Sequence, residues 1–228
     1  MTIFKRYAVY YAPKGNWAQW ATAWLGWDAE AGQTLPQPLI SGLPATLADL
    51  TATPRKYGLH GTLKPPFRLA GGVDADDLVS AVANLAATQT PFSLEGLKLA
   101  KMGGFLALIP TGDTSALTAL AAKTVTVLDP LRAPLSDAEL AKRRQRRLSP
   151  RQEQYLIDWG YPYVLDEFRF HITLTGNFPA EIARQTEVVL AKHLAPLLPA
   201  PFVIDDLGLY GEDAEGRFHL VHRIALSG

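Results

Sequence analysis

Tyr57-Gly-Leu-His60-Gly-Thr62-Leu-Lys64-Pro-Pro-Phe67 decides how the rest of the chain reads, because Phe168-Arg-Phe-His171-Ile-Thr173-Leu-Thr-Gly-Asn-Phe178 repeats its plan. Both stretches run His-x-Thr-Leu-x-x-x-Phe, with an aromatic residue three positions before the histidine. Side chains alternate between the two faces of a strand, so His60, Thr62 and Lys64 are expected on one face, as are Arg169, His171, Thr173 and Thr175. Each strand then offers an imidazole beside a hydroxyl.

The repeat extends downstream. Pro91-Phe-Ser-Leu-Glu-Gly-Leu-Lys-Leu99 returns as Pro201-Phe-Val-Ile-Asp-Asp-Leu-Gly-Leu209, at nearly the same separation from its histidine. Two blocks in the same order indicate a duplicated unit, too long and too few in copies for a solenoid. Each copy reads strand, helix, strand, strand, which predicts an α+β fold: a bilobal, pseudo-symmetric duplication of mostly antiparallel sheets around a central cleft. The expected division is an N-terminal lobe at 1–128, a basic helical connection at 129–167 and a C-terminal lobe at 168–228.

Composition bounds the function. Of 228 residues 48% are hydrophobic, enough for a real core, and the formal charge is zero, which argues against a general nucleic-acid coat. Without cysteine there are no disulfides, thiolate zinc sites or cysteine nucleophiles. The start Met-Thr-Ile-Phe-Lys-Arg-Tyr has no leader pattern, and no apolar run is long enough to span a bilayer, so a cytoplasmic protein without a membrane partner is expected. The sequence leaves the oligomeric state open.

Residues 5–12 read as a first strand. Trp17, Trp20, Trp24 and Trp27 then form an apolar stripe, read as packing rather than a ligand platform. Helices are expected over 74–87 and 113–128, from a Ser149-Pro150 start to Gly160, and over 180–194. The segment between the copies carries Lys142-Arg-Arg-Gln-Arg-Arg147. Such a run fits a solvated helix face or a set of guanidiniums reaching over the cleft to a phosphate; a nuclear-import signal is a third reading, disfavoured inside a folded segment. His219 and His222 lie three apart on a strand and make a poor metal pair, and His193 reads as a surface residue at a helix end. Gly71-Gly72 and Gly103-Gly104 read as turns, there is no phosphate loop, and no carboxylate cage suggests a metal.

A lone strand histidine is ordinarily structural; two copies, each with a threonine at the next position on its face, point to chemistry. Imidazole titrates near neutrality, so two around one centre can serve as base and acid in one turnover. Thr62 and Thr173, with Lys64 or Arg169, can meet the oxygens of a tetrahedral anion.

These paired strands resemble the two-histidine (2H) phosphoesterase superfamily. Arg55-Lys-Tyr57-Gly-Leu-His60, Leu148-Ser-Pro-Arg151-Gln and Trp159-Gly-Tyr-Pro-Tyr163 are similar to its branch encoded in phosphonate-degradation gene clusters. The resemblance implies a metal-independent, cofactor-free cyclic phosphodiesterase acting on a small phosphorylated substrate, a ribosyl cyclic phosphate in that branch. It makes His60 and His171 the acid/base pair and Thr62 and Thr173 the phosphate ligands. Lys64, Arg169, Arg55, Tyr57 and Arg151 join them as substrate-binding candidates. Competing readings are a non-catalytic phosphate-binding module and RNA cyclic-end processing. No base-stacking aromatic adjoins either motif, which counts against nucleic acid.

Overall fold

The computed structural model describes residues 4–228; residues 1–3, part of the amino-terminal stretch tested for a leader, lie outside it. The strands are β1 (Arg6–Tyr11), β2 (Trp27–Asp28), β3 (Gln33–Thr34), β4 (Gly61–Phe67), β5 (Phe92–Leu94), β6 (Gly96–Met102), β7 (Phe105–Thr111), β8 (Ile172–Thr173), β9 (Phe202–Ile204), β10 (Asp206–Glu212) and β11 (Phe218–Ala225). The helices are α1 (Asn16–Leu25), α2 (Leu47–Thr51), α3 (Ala75–Ala86), α4 (Ser115–Val127), α5 (Asp137–Arg144), α6 (Pro150–Trp159) and α7 (Ala180–Leu194).

Seven strands form one antiparallel sheet in the order β11-β10-β1-β4-β8-β7-β6. The α+β class holds. The halves of the chain, however, interlock: β10 and β11 of the second half extend β1, while β6 and β7 of the first half extend β8. The division at 128 and 167 therefore does not follow the sheet, since hydrogen-bonded edges take whichever strand lies beside them rather than the nearest in sequence.

The duplication shows as pairing about a pseudo-twofold axis. β4 meets β8 at Gly61 opposite Ile172, equivalent positions of the two copies. β5 pairs with β9 as Phe92 opposite Ile204, Ser93 opposite Val203 and Leu94 opposite Phe202, again equivalents exchanged. The axis crossing is tight: a Cβ on Gly61 would lie 2.3 Å from the Phe170 ring, so only glycine lets that ring close over β4.

β1 is buried on both faces. Tyr7, Val9 and Tyr11 point into the main core with Trp17, Trp24, Leu78, Leu117 and Leu190 of the helices. Ala8, Tyr10 and Ala12 join Trp27, Tyr210 and Phe218 on the other face. The tryptophan stripe is packing, as its periodicity implies: Trp24 and Trp27 donate from Nε1 to the carbonyls of Leu174 and Phe218 at 2.8 and 2.9 Å.

α6 starts with Ser149 accepting from the Gln152 amide and stops at Gly160, φ 73°. Both ends were written in the sequence, as a Ser-Pro start and a left-handed stop. α5 is capped reciprocally by Ser136 and Glu139 and takes in the first half of the basic run, Lys142 to Arg144.

Candidate active site

The antiparallel step on either side of Gly61–Ile172 sets His60 across from Thr173 and Thr62 across from His171. Cross-strand neighbours of this kind have Cβ atoms about 4.5–5.5 Å apart. The two imidazoles and two hydroxyls thus form a four-cornered patch, each histidine beside the other copy's threonine. His60, Thr62 and Thr173 line a cavity of about 620 Å³. His171 adjoins that wall on the same face, near enough that its charge disfavours protonation of His60.

Both rings are oriented by the same device. His60 Nδ1 lies 2.9 Å from the Gly58 carbonyl, and His171 Nδ1 lies 2.7 Å from the Arg169 carbonyl. A carbonyl oxygen only accepts, so each Nδ1 carries the proton and each neutral ring keeps its lone pair at Nε2. Gly58 turns with φ +69°, and an added Cβ would meet Ala29 Cβ at 2.9 Å, so glycine is required where that carbonyl is set.

Their surroundings differ. His60 stacks on Tyr10 with centroids 4.0 Å apart and planes at 28°, and Tyr57 stands 6.0 Å away. Burial lowers its pKa to about 4; the Gly58 hydrogen bond opposes the shift and the His171 charge adds to it. His171 meets the Phe105 ring at 5.7 Å.

Of the further sequence candidates, Tyr57 lines the cavity, with its ring over Phe218 at 5.2 Å. Four others do not join it. Lys64 is 2% exposed, and its ammonium donates to the Val125 carbonyl at 3.0 Å and pairs with Asp129 at 3.5 Å. The cause is a β-bulge: Tyr10 pairs with Thr62 but Val9 with Lys64, and the extra residue turns Lys64 to the core face. The expectation that Lys64 shares a face with His60 is corrected accordingly. Burial lowers its pKa to about 8, Asp129 opposing and Arg132 assisting. Arg55 spends its guanidinium on the Leu25 and Ala48 carbonyls, Gln37 and Thr51. Arg169 is exposed and donates to the carbonyls of Asp166 and Phe168. Arg151 pairs with Asp166 at 3.2 Å on the surface, over the Tyr155 ring.

The cavity has a second wall that the motifs did not announce. Arg6 and Tyr10 come from β1, Lys142, Arg143 and Arg146 from α5 and its exit, and Tyr161 and Tyr163 from the loop after α6. Arg6 and Tyr10 were findable, since period two puts them on one face of the first strand; the Tyr-Pro-Tyr segment gave no such signal. Of the basic run, Lys142, Arg143 and Arg146 line the cavity, whereas Arg144 turns away to Glu153. Besides Tyr57 of the first motif, the aromatic rings lining the cavity, Tyr10, Tyr161 and Tyr163, come from this wall. Among the described residues no cluster of three or more His, Cys, Asp or Glu could hold a metal ion. His219 bonds Asp213 at 2.7 Å, His222 is exposed, and His193 stacks on Trp20 at the surface.

Fold and site together define a duplicated α+β protein with two His-x-Thr strands abutting over one cleft. Residues 62–219 match the family described as "Protein of unknown function (DUF1045)", and the chain belongs to that family. It is 37% identical over 231 residues to "Ribose 1,5-bisphosphate phosphokinase PhnN" of Janthinobacterium sp. (strain Marseille), covering 98% of this chain and 51% of that protein. The protein of the same name from Laribacter hongkongensis (strain HLHK9) is 36% identical, covering 92% of this chain and 49% of that one. The chain thus spans about half the length of the curated relatives it matches. Among solved structures it is similar to TT0787 of Thermus thermophilus at TM-score 0.46, with 16% identity and 98% of each chain covered. It is also similar to E. coli LigT complexed with 3′-AMP, at TM-score 0.43 with 19% identity and 98% of each chain covered. No helix of the described residues is long and apolar enough to cross a membrane.

Proposed function

We propose that the chain is a metal-independent phosphoesterase that hydrolyses a small, cyclic phosphodiester with His60 and His171 as its acid/base pair. The observation that carries this reading is the exchange of the two motifs across one strand pair, each ring pinned at Nδ1 to a backbone carbonyl. Water attacks phosphorus in line while its proton passes to Nε2 of one imidazole; the phosphorus–oxygen bond to the leaving group breaks as the other imidazole donates its proton to that oxygen. The chemistry is general acid–base catalysis, worth about 10²–10⁴-fold for a well-placed group. Thr62 and Thr173 donate their hydroxyl protons to the non-bridging oxygens as charge builds there.

We assign the roles from the two environments: His60, whose stacking on Tyr10 and burial favour the neutral ring, is the base, and His171 is the proton donor to the leaving oxygen. Water must then return a proton to His171 and remove one from His60 before the next turnover.

The longer relatives bear the name of a kinase that acts on a phosphorylated ribose, and this supports a ribosyl cyclic phosphate, formed during phosphonate breakdown, as the substrate. The kinase part of that name is not carried over, because the sequence contains no Gly-x-x-x-x-Gly-Lys-Ser/Thr loop to cradle a nucleotide. Ribosyl and nucleoside cyclic phosphates are to be screened with the parent protein, His60→Ala, His171→Ala and the double variant, each with and without EDTA. Turnover by the parent that survives EDTA and disappears in both variants is expected. Parent-level turnover by the double variant, or none by the parent on any of them, would remove the proposal.

A further inference from the structure

The cations of the cavity's second wall are not used by the two-histidine chemistry. Arg6 is committed to Glu212 through two hydrogen bonds, and Glu139, the one carboxylate of the wall, to Arg68 and Ser136. Among the described residues Lys142, Arg143 and Arg146 have no carboxylate partner. Arg143 is half-buried with its guanidinium 4.8 Å over the Tyr161 ring. Burial and the Arg6 charge both work against its cation, partly offset by Tyr161 and Glu139. Leaving a guanidinium partly desolvated and unpaired is costly, and an incoming anion removes the cost. The neighbouring cations are disposed differently: Arg144, one residue on, points away and pairs with Glu153 at 2.6 Å.

The cavity is also too large for one phosphate. At about 620 Å³ it falls in the range that encloses a whole metabolite-sized ligand, with the His-x-Thr patch on one wall and the three unpaired cations on another. We infer that Arg143 and Arg146, aided by Lys142, bind a second phosphate of the substrate, a monoester that does not react, so that the enzyme selects cyclic phosphodiesters carrying a further phosphate group. Guanidinium forks match phosphate oxygens two at a time, which suits them to fix the substrate's orientation while Thr62 and Thr173 hold the reacting group. The inference rests on the proposed phosphoesterase activity and deepens it by naming what the substrate must carry.

The test uses methyl ribofuranoside 2,3-cyclic phosphate with and without a 5-phosphate. kcat/KM on both is measured for the parent, Arg143→Ala/Arg146→Ala, Arg143→Lys/Arg146→Lys and Arg144→Ala, with melting temperature as the check on folding. Charge-assisted contacts of this kind are worth roughly a 10- to 100-fold preference. The parent and Arg144→Ala are expected to show that preference for the 5-phosphorylated compound, chiefly in KM. The alanine pair should lose it, and the lysine pair should keep a part of it. A parent that cleaves both compounds equally, or a preference that survives the alanine pair, overturns the second-phosphate site and leaves the phosphoesterase reading standing. A parent that cleaves neither overturns both.

Discussion

His60 lies against the Tyr10 ring at 4.0 Å, buried enough to bring its pKa to about 4, whereas its counterpart His171 meets Phe105 at 5.7 Å at the cavity's margin. The strands that carry them differ as much: β4 runs seven residues and bulges on both sides of Lys64, and β8 is two residues long. Duplication supplied two identical imidazole–hydroxyl pairs with identically fixed tautomers. On the proposed mechanism the packing around each copy separates what they do, since a base works as the neutral ring and an acid as the protonated one.

The largest expected effect removes either ring. His60→Ala and His171→Ala should each lower kcat about 10²–10⁴-fold, and the double variant should be little worse, because the pair acts as a unit. A single variant with near-parent activity would show that the copies are not partners. Next comes the threonine pair: Thr62→Val and Thr173→Val each remove one donor to the developing charge, and each should cost about 10²-fold in kcat. Markedly unequal losses would show that the symmetry of the patch does not extend to the phosphate oxygens.

A smaller effect sharpens the difference between the copies. As a depressed histidine, His60 resists protonation in the folded protein, so stability is complete above pH 6.5 and declines as pH falls from there towards 4. The acidic limb of kcat/KM should accordingly lie near pH 4 in the parent. Tyr10→Ala admits water to the ring, raises its pKa and moves the limb upward, with a loss of about tenfold at pH 5 if the pKa reaches about 6. An unmoved limb would mean that the stack does not set the base. The smallest effect is expected at Lys64: Lys64→Met should leave kcat within about threefold, and urea denaturation should find stability unchanged or raised, since a buried ammonium gives way to a side chain of similar volume.

Much of the site was legible because chemistry repeats visibly: the two His-x-Thr stretches and the two Pro-Phe blocks lie at matching separations, and both pairs meet across the pseudo-twofold axis. Helix ends were legible where a local rule fixes them, as at Ser149 and Gly160. The interlocking of the halves was not, because nothing in β6 or β10 names its neighbour. Lys64 was misplaced for a related reason. Period-two reasoning assumes an unbroken ladder, and one inserted residue reverses the face of everything beyond it. Arg143 and Arg146 could be recognised as basic but not placed, since the fold of 129–167 decides which cations of the run face the cavity and which, like Arg144, face solvent.

The central claim is that His60 and His171 serve one phosphorus centre, and the most direct measurement is ¹⁵N NMR of the imidazoles during titration with orthovanadate, which adopts the five-coordinate geometry of the transition state. One equivalent should shift the Nε2 resonances of both rings together, saturating at the same point, while His193, His219 and His222 stay put. Response of only one of the two rings, or saturation of the two at separate stoichiometries, would contradict the account.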